Sequence, residues 1–195
     1  CALPISSDVV KAVKLPVTVK TRLGWDDDNK VIVELAEQLQ DCGIQALTIH
    51  GRTRSQMYKG DADWSLIGDV KNNQRMMIPI IGNGDVTTPE RALECFNRYG
   101  VDAVMVGRAA MNNPYIFTQI NHFFETGEEL PELPFDKKLD ITEDHLKRLV
   151  DLKGEKIAVR EFRGLAPHYL RGTAGAAKVR GEVSRAESVA QVKEI

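Results

Sequence analysis

The sequence predicts an α/β fold in which four βα units form half of an eight-stranded (β/α)8 TIM barrel, followed by an all-α helical domain. Three observations support this prediction. Short apolar strand patterns alternate four times with amphipathic helix patterns, which is typical of a parallel sheet covered by helices. Polar residues collect where each strand pattern ends, as they do at the mouth of a barrel. No strand pattern follows residue 128, and the rest of the chain has helical periodicity.

The four strand patterns are short runs of β-branched and other apolar residues. They cover residues 16–23, 45–50, 78–84 and 102–107, and helix patterns follow them at residues 30–42, 64–71, 91–100 and 115–127. Thr88 and Pro89 supply an N-cap and a first-turn proline for the third of these helices. A small doubly wound sheet would have the same strand-and-helix order, but no glycine-rich dinucleotide motif follows the first strand. The half-barrel is therefore the preferred prediction.

The sequence from residue 129 onward predicts a linker followed by three helices. Helix patterns cover residues 136–152, 154–170 and 184–195. Ser184 and Glu187 have the spacing of a capping box for the last helix, and Pro167 predicts a kink or a boundary in the helix before it. The predicted domains are a partial barrel at 1–128, a proline-punctuated linker at 129–135 and a helical domain at 136–195.

The composition is that of a soluble globular protein. The 195 residues are 43% apolar and 28% charged, with a net charge of −2. No apolar run approaches the ~20 residues that cross a bilayer, and no secretory signal opens the chain. Three unevenly spaced cysteines match neither a disulfide framework nor a zinc site, so we expect a cytoplasmic protein without a metal or a membrane partner. No cysteine has neighbours that would activate a thiol, so no catalytic cysteine is predicted.

Two side chains at predicted strand ends could carry chemistry. Lys20 points toward the predicted barrel mouth, where a cation needs an anionic partner, and an ordinary salt bridge would satisfy it equally well. His50 lies on the same strand face as small residues, and a structural role is the more common one for such a histidine. The segment HGRTR, residues 50–54, favours a site because it crowds two arginines beside this histidine.

Glycine-rich turns follow the third and fourth strand patterns. GNGD at 82–85 and GRAA at 107–110 allow backbone N–H groups to approach an anion closely, and Arg108 can add a charge-assisted contact. Each turn alone is common. Their occurrence on consecutive strands predicts a site for a phosphate-bearing cofactor.

Positive charge is concentrated in the predicted helical domain. Residues 156–181 carry six basic side chains and one acidic side chain, whereas residues 1–135 have a net charge of −5. The basic residues are Lys156, Arg160, Arg163, Arg171, Lys178 and Arg180. This asymmetry suits an RNA backbone, and a solvated charged face explains it equally well. Trp64 and Tyr58 are predicted to be packing residues rather than base-stacking platforms.

Four segments carry a resemblance to a known family: PVTVKTRLGW, ALTIHGRTRSQMYKGDADW, IPIIGNGDV and DAVMVGRAAMNNPYIF. Together they closely resemble the bacterial tRNA-dihydrouridine synthases, most closely the B type, over about residues 14–195. The resemblance implies the C-terminal half of an FMN-binding TIM barrel followed by a helical tRNA-binding domain. It also implies that NADPH reduces FMN and that the reduced flavin transfers hydride to a uridine of tRNA.

The resemblance further implies roles for particular residues. Lys20 would contact the flavin ring, where a cation stabilises the charge of the reduced flavin, and His50 would lie against the same ring. The ribityl phosphate would be held by Asn83, Gly84, Asp85, Gly107 and Arg108. The RNA would be contacted at the barrel rim by Arg52 and Arg54, and in the helical domain by the six basic residues named above.

The sequence also departs from the family pattern. The first four barrel strands and the Gly-Cys-Pro segment with the proton-donating cysteine are not found, so the catalytic residue is unknown, and Cys1 lies too close to Pro16 to replace it. The chain is interpreted as a truncated, spliced or partial gene product, with residues Ala2 to Ser7 as foreign sequence. Two alternatives stay open: an inactive fragment that only binds RNA or a partner, and an FMN barrel that acts on a small metabolite. A half-barrel with open edges is also expected to aggregate, dimerise or stay partly unfolded.

Overall fold

The structure contains one α/β unit and one helical unit. A computed structural model describes residues 2–170 and 175–195. Its elements are, in chain order, α1 (Ala2–Ala12), β1 (Thr18–Arg22), α2 (Ile32–Asp41), β2 (Ala46–His50), α3 (Ser65–Asn72), β3 (Ile80–Asn83), α4 (Pro89–Tyr99), β4 (Ala103–Met105), α5 (Arg108–Asn112), α6 (Ile116–Thr126), α7 (Phe135–Lys153), α8 (Glu155–Tyr169), α9 (Ala176–Val183) and α10 (Val189–Glu194). The α/β unit comprises Cys1–Gly107 and Thr118–Glu129, and the helical unit comprises Arg108–Phe117 and Leu130–Ile195. The helices α1, α5 and α9 were not predicted, nor was the grouping of α5 with the C-terminal helices.

The four strands form one parallel sheet in the order β1-β2-β3-β4. A doubly wound sheet reverses its strand order at a switch point, whereas a barrel adds each new strand beside the preceding one. The sequential order therefore favours the half-barrel over the doubly wound alternative. In the register, Arg22 is opposite His50, His50 is opposite Asn83 and Asn83 is opposite Met105, so the strands end level with one another.

The helix-covered face of the sheet forms the core of the α/β unit. Leu47, Ile49 and Ile80 are fully buried on this face. Gly82 is aligned with Ile49 in the register and packs against Trp64, so closely that a Cβ atom at Gly82 would lie 2.0 Å from the indole ring. Because side chains alternate along a strand, the residues between these point to the opposite face.

Helix ends and strand starts in the α/β unit are fixed by specific polar contacts. The Thr88 side chain accepts a hydrogen bond from the Arg91 N–H, which confirms the predicted N-cap of α4. Lys71 Nζ lies 2.7 Å from Asp102 Oδ2, and the same carboxylate accepts the Ile80 N–H at 2.8 Å. These contacts tie α3 to the amino ends of β3 and β4.

The helical unit has its own core of Leu146, Phe162, Ala166 and Val183. The boundary predicted at Pro167 lies two residues later, because α8 continues through the proline in its last turn. No helix among residues 2–170 and 175–195 combines the length and the apolar character needed to cross a membrane.

The predicted capping box at Ser184 is wrong. Ser184 is the C-cap of α9, and the N-cap of the next helix lies four residues later, where the Ser188 side chain accepts the Gln191 N–H. The Gln191 side chain in turn accepts the Glu187 N–H at 2.6 Å. The sequence offers the same serine-and-acceptor spacing twice, and only the second copy begins a helix.

Candidate active site

The candidate site lies on the sheet face opposite the buried core, at the carboxyl ends of β1, β2 and β3. Lys20 and Arg22 alternate on this face of β1, and the register pairs Lys20 with Thr48 and Arg22 with His50. Asn83 on β3 is directly opposite His50 on the neighbouring strand β2. The structure thus brings together Lys20, His50 and Asn83, which are three of the residues predicted to bind a cofactor.

Lys20 is a cation that forms no ion pair with any residue that the structure describes. Within the described part of the chain no carboxylate forms an ion pair with its ammonium group, so the salt-bridge alternative is not what the structure contains. Partial burial lowers the pKa of Lys20, and repulsion from Arg22 lowers it further. The ammonium group is therefore available to an anionic or electron-rich ligand.

His50 is buried and electrically neutral at physiological pH. Burial is the main reason that its pKa falls from 6.5 to about 4, and repulsion from Arg22, Lys20 and Arg52 adds to the effect, while Asp85 opposes it. A neutral imidazole offers one N–H donor and one acceptor. His50 can thus form hydrogen bonds with a ligand without adding charge to a site that is already cationic.

We expect an NMR titration of the folded chain to place the His50 pKa near 4 rather than near 6.5. The unfolded chain then binds the proton more tightly than the folded chain, so stability falls as the pH decreases from about 6.5 to about 4. Arg22→Met removes the largest of the charge repulsions and raises the pKa. A wild-type value near 6.5 would contradict the arrangement of cations around this ring.

Arg22 and Tyr58 form one side of the site, and neither was predicted to do so. The Arg22 guanidinium donates to the Thr53 carbonyl oxygen at 2.7 Å and lies 5.8 Å from the centre of the Tyr58 ring. The centre of that ring is 6.3 Å from the centre of the His50 ring. Tyr58 is 58% exposed, so its prediction as a packing residue is wrong. The signal that could have located Arg22 was its spacing of two residues from Lys20 on one strand face.

Arg52 is a buried structural link rather than an RNA contact. Its side chain is 2% exposed, and its guanidinium forms a bidentate ion pair with Asp85 at 3.0 and 2.7 Å. It also donates to the carbonyl oxygens of Lys59 and Gly60. The predicted contact of Arg52 with RNA at the rim is therefore wrong, because its donors are used inside the fold. The Asp85 carboxylate accepts the Ala62 N–H as well, at 2.8 Å, and so joins the loop after β2 to the loop after β3.

The turn after β3 has its side chains engaged within the fold. The Asn83 amide donates to the Met105 carbonyl oxygen at 2.7 Å, and the Gly84 carbonyl accepts the Trp64 indole N–H at 2.9 Å. Gly84 and Asp85 both have positive φ angles, 122° and 53°. Glycine adopts such a φ without steric cost. Since the Asp85 carboxylate is negative and paired with Arg52, only the backbone of this turn fits the predicted phosphate contact.

Three predicted RNA-binding residues share one face of α8. Lys156, Arg160 and Arg163 recur at the i, i+4 and i+7 positions, which lie above one another on a helix. The Arg163 guanidinium donates twice to the Ala186 carbonyl oxygen, at 2.9 and 2.7 Å. Arg163 therefore ties α8 to the segment before α10, whereas Lys156 and Arg160 are exposed.

The other predicted site residues are distributed over both units. Lys178 and Arg180 are exposed on α9, and Arg171 lies outside the described residues. Gly107 ends the first segment of the α/β unit, and a Cβ atom there would meet nothing within 4 Å. Arg108 begins α5 in the helical unit. The RNA and phosphate contacts of these five residues stay predictions.

Fold and site together define a class of protein. A sequential parallel sheet with cationic and neutral polar side chains at its carboxyl ends is the arrangement in which (β/α) barrels bind their ligands. Residues 2–195 match the family model described as dihydrouridine synthase (Dus), and the chain belongs to this family, whose fold is a TIM barrel.

Similar proteins carry the same family name. The chain is 42% identical over 193 residues to the probable tRNA-dihydrouridine synthase of Rickettsia bellii, covering 99% of this chain and 59% of the relative. It is 46% identical over 167 residues to the tRNA-dihydrouridine synthase B of Proteus vulgaris, covering 86% and 51%, respectively. The corresponding protein of Vibrio cholerae is 46% identical over 163 residues, covering 84% and 50%. These similarities confirm the predicted resemblance to the B type.

The extent of these matches corrects one prediction. The family match begins at residue 2, so the interpretation of Ala2 to Ser7 as foreign sequence is wrong, and the resemblance extends further than residue 14. The same residues form the first turns of α1. The chain spans about half the length of the curated relatives that it matches, between 50% and 59%.

Proposed function

We propose that this chain provides part of the flavin site and part of the tRNA-binding surface of an FMN-dependent tRNA-dihydrouridine synthase that uses NADPH. The single observation that carries the proposal is that Lys20, a cation with no ion-pair partner among the described residues, shares one face at the strand ends with the neutral His50. The names of the relatives support tRNA as the substrate. A tRNA substrate would also support a cytoplasmic location for the protein.

The polar groups at the strand ends have the chemistry needed to bind a flavin. FMN, when bound, accepts electrons from a reduced nicotinamide and passes hydride to the substrate base. Lys20 would stabilise negative charge on an electron-rich ring placed against it. His50 would add a hydrogen bond from an uncharged ring, and the backbone at the exposed Gly107, where a Cβ atom would meet nothing within 4 Å, is accessible to a phosphate.

The helical unit supports the RNA part of the proposal. Lys156 and Arg160 are exposed on one face of α8, with Lys178 and Arg180 exposed on α9, so cations are available to phosphates. A uridine has to leave its base stack to reach a barrel mouth. Contacts with the RNA backbone can provide the free energy for that rearrangement.

Lys20→Met tests the flavin part of the proposal. Loss of one charge-assisted contact is expected to weaken FMN binding by about 10- to 150-fold, which corresponds to about 1.5–3 kcal/mol. The bound flavin should also become harder to reduce, because the variant lacks the cation that stabilises the reduced form. Quenching of FMN fluorescence measures the affinity, and a spectroelectrochemical titration measures the midpoint potential.

Lys14→Met is the matched control, since Lys14 is an exposed lysine before β1. It should bind FMN like the wild-type chain. Equal affinity and potential in Lys20→Met and wild type would refute the role of Lys20. A wild-type chain that binds tRNA but no FMN would instead support the alternative of a binding fragment without catalysis.

A further inference from the structure

Trp25 is held out of the core on a rigid rim beside the candidate site. Its side chain is 67% exposed, and the guanidinium carbon of Arg54 lies 5.9 Å from the centre of its ring system. The Arg54 N–H donates to the Gly24 carbonyl at 2.9 Å, and the Ser55 N–H donates to the Trp25 carbonyl at 2.8 Å. The Trp25 N–H donates to the Asn29 carbonyl at 3.2 Å. The loops after β1 and β2 are thus paired backbone to backbone, and both present their side chains at the mouth.

The local backbone leaves little freedom for Trp25 to turn inward. A Cβ atom at Gly24 would lie 1.9 Å from the Asn29 carbonyl oxygen, so only glycine allows this tight turn before the tryptophan. Tryptophan is the side chain that gains most from burial, and here it is fixed in solvent with a guanidinium beside it. A single exposed apolar side chain is common on protein surfaces, but here the indole and the Arg54 guanidinium together present two planar groups at one position.

We propose that Trp25 and Arg54 form a stacking platform for one unpaired nucleotide of the RNA, adjacent to the base that enters the site. This inference rests on the proposed function. Removal of a base from its stack exposes the faces of the neighbouring bases. Aromatic rings and arginine planes are the groups on which such single-stranded bases stack.

The charges around the platform select a base rather than a phosphate. Asp26, Asp27 and Asp28 directly follow Trp25 in the chain. Asp26 accepts hydrogen bonds from the Asn29 side chain and from the Asp28 N–H, and Asp27 pairs with Lys30. These carboxylates disfavour the approach of a phosphate to the loop. The contribution of the platform should therefore depend only weakly on salt, unlike contacts made by lysine and arginine with phosphates.

The two tryptophans allow a direct test in the full chain. Trp25 is 67% exposed, whereas Trp64 is 1% exposed and serves as an internal reference. Titration with a single-stranded uridine decamer should quench the Trp25 emission. Trp25→Ala should weaken binding roughly 5- to 150-fold, the range for loss of one base-stacking residue. Trp25→Phe should retain most of the affinity without the quenching, and Arg54→Gln should weaken binding.

Met77→Ala is the matched control, because Met77 is also a large apolar side chain of the α/β unit and is 84% exposed. It should bind the decamer like wild type, and inorganic polyphosphate should leave the Trp25 emission unchanged. Wild-type affinity in Trp25→Ala, or equal quenching by polyphosphate, would overturn the inference. Quenching by a proline-rich peptide but not by RNA would overturn it in favour of a protein contact.

FMN binding in the same samples separates this inference from the proposed function. If the chain binds FMN but RNA does not quench Trp25, the platform alone is refuted. If the chain neither binds FMN nor shows RNA quenching, both proposals are refuted.

Discussion

Asp85→Asn is expected to lower the free energy of unfolding of the α/β unit by about 3–5 kcal/mol, the usual cost of leaving one member of a buried ion pair alone. The variant keeps a side chain of the same size and tolerates the φ of 53° at this position, so the charge is the main change. The Arg52 guanidinium, which is 2% exposed, would then have no counter-charge. Urea unfolding followed by the emission of the buried Trp64 measures the effect.

Arg52 is more deeply buried than Asp85, and this difference allows a second test of the ion pair. Asp85 is 29% exposed at its side chain, so after Arg52→Met its carboxylate can be hydrated and the loss should be smaller than that of Asp85→Asn. The double variant should recover part of the loss. Asp41→Asn is the control, because Asp41 and Arg75 form an exposed pair at 3.5 Å that contributes less than about 1 kcal/mol. Equal losses for Asp85→Asn and Asp41→Asn would contradict the buried link.

Gly82→Ala is expected to destabilise the α/β unit by about 3 kcal/mol, through overpacking and the loss of one hydrogen bond. The new methyl group would lie 2.0 Å from one carbon of the Trp64 ring and 2.5 Å from the next. Trp64 cannot move aside cheaply, because it is buried and its indole N–H is bonded to the Gly84 carbonyl. A change in the near-ultraviolet circular dichroism of Trp64 should accompany the loss of stability.

Gly107→Ala is the matched control at the end of the next strand. A Cβ atom there meets nothing within 4 Å, so its stability should change by less than about 1 kcal/mol. If both variants were equally stable, the close packing of Trp64 on β3 would not be a constraint on the fold.

The order and type of the barrel elements could be predicted because their signals are local. The apolar runs predicted at 16–23, 45–50 and 78–84 each contain a strand of the structure, with boundaries that shift by a few residues. Three helices, α1, α5 and α9, were not predicted, and the reasons are clear for two of them. The segment of α1 carries Pro4 in its first turn, where proline is tolerated, but it was interpreted as foreign sequence. The helix α9 is short and begins after Gly175, so its helical signal is weak.

The site could be predicted in part, because strand periodicity and parallel pairing are enough to place Lys20 and His50 on one face. The environment of Arg52 could not be predicted in the same way. Its partner Asp85 is 33 residues away in the chain, and nothing in HGRTR distinguishes the buried arginine from the exposed Arg54. The exposure of Tyr58 depends on a loop in which Met57 has a φ of 52°, a conformation that sequence patterns do not reveal.

The sequential order of the strands has a consequence for how the sheet assembles. Each of β2, β3 and β4 pairs with the strand that precedes it in the chain, so none of these three has to insert between two others. During synthesis, each βα unit can dock onto an edge that is already complete, and the chain closure required at each step is short. We expect the sheet to grow from β1 toward β4 as the ribosome releases it. The ligand-binding face would then form one strand at a time, so that Lys20 on β1 is in place before His50 on β2 and Asn83 on β3.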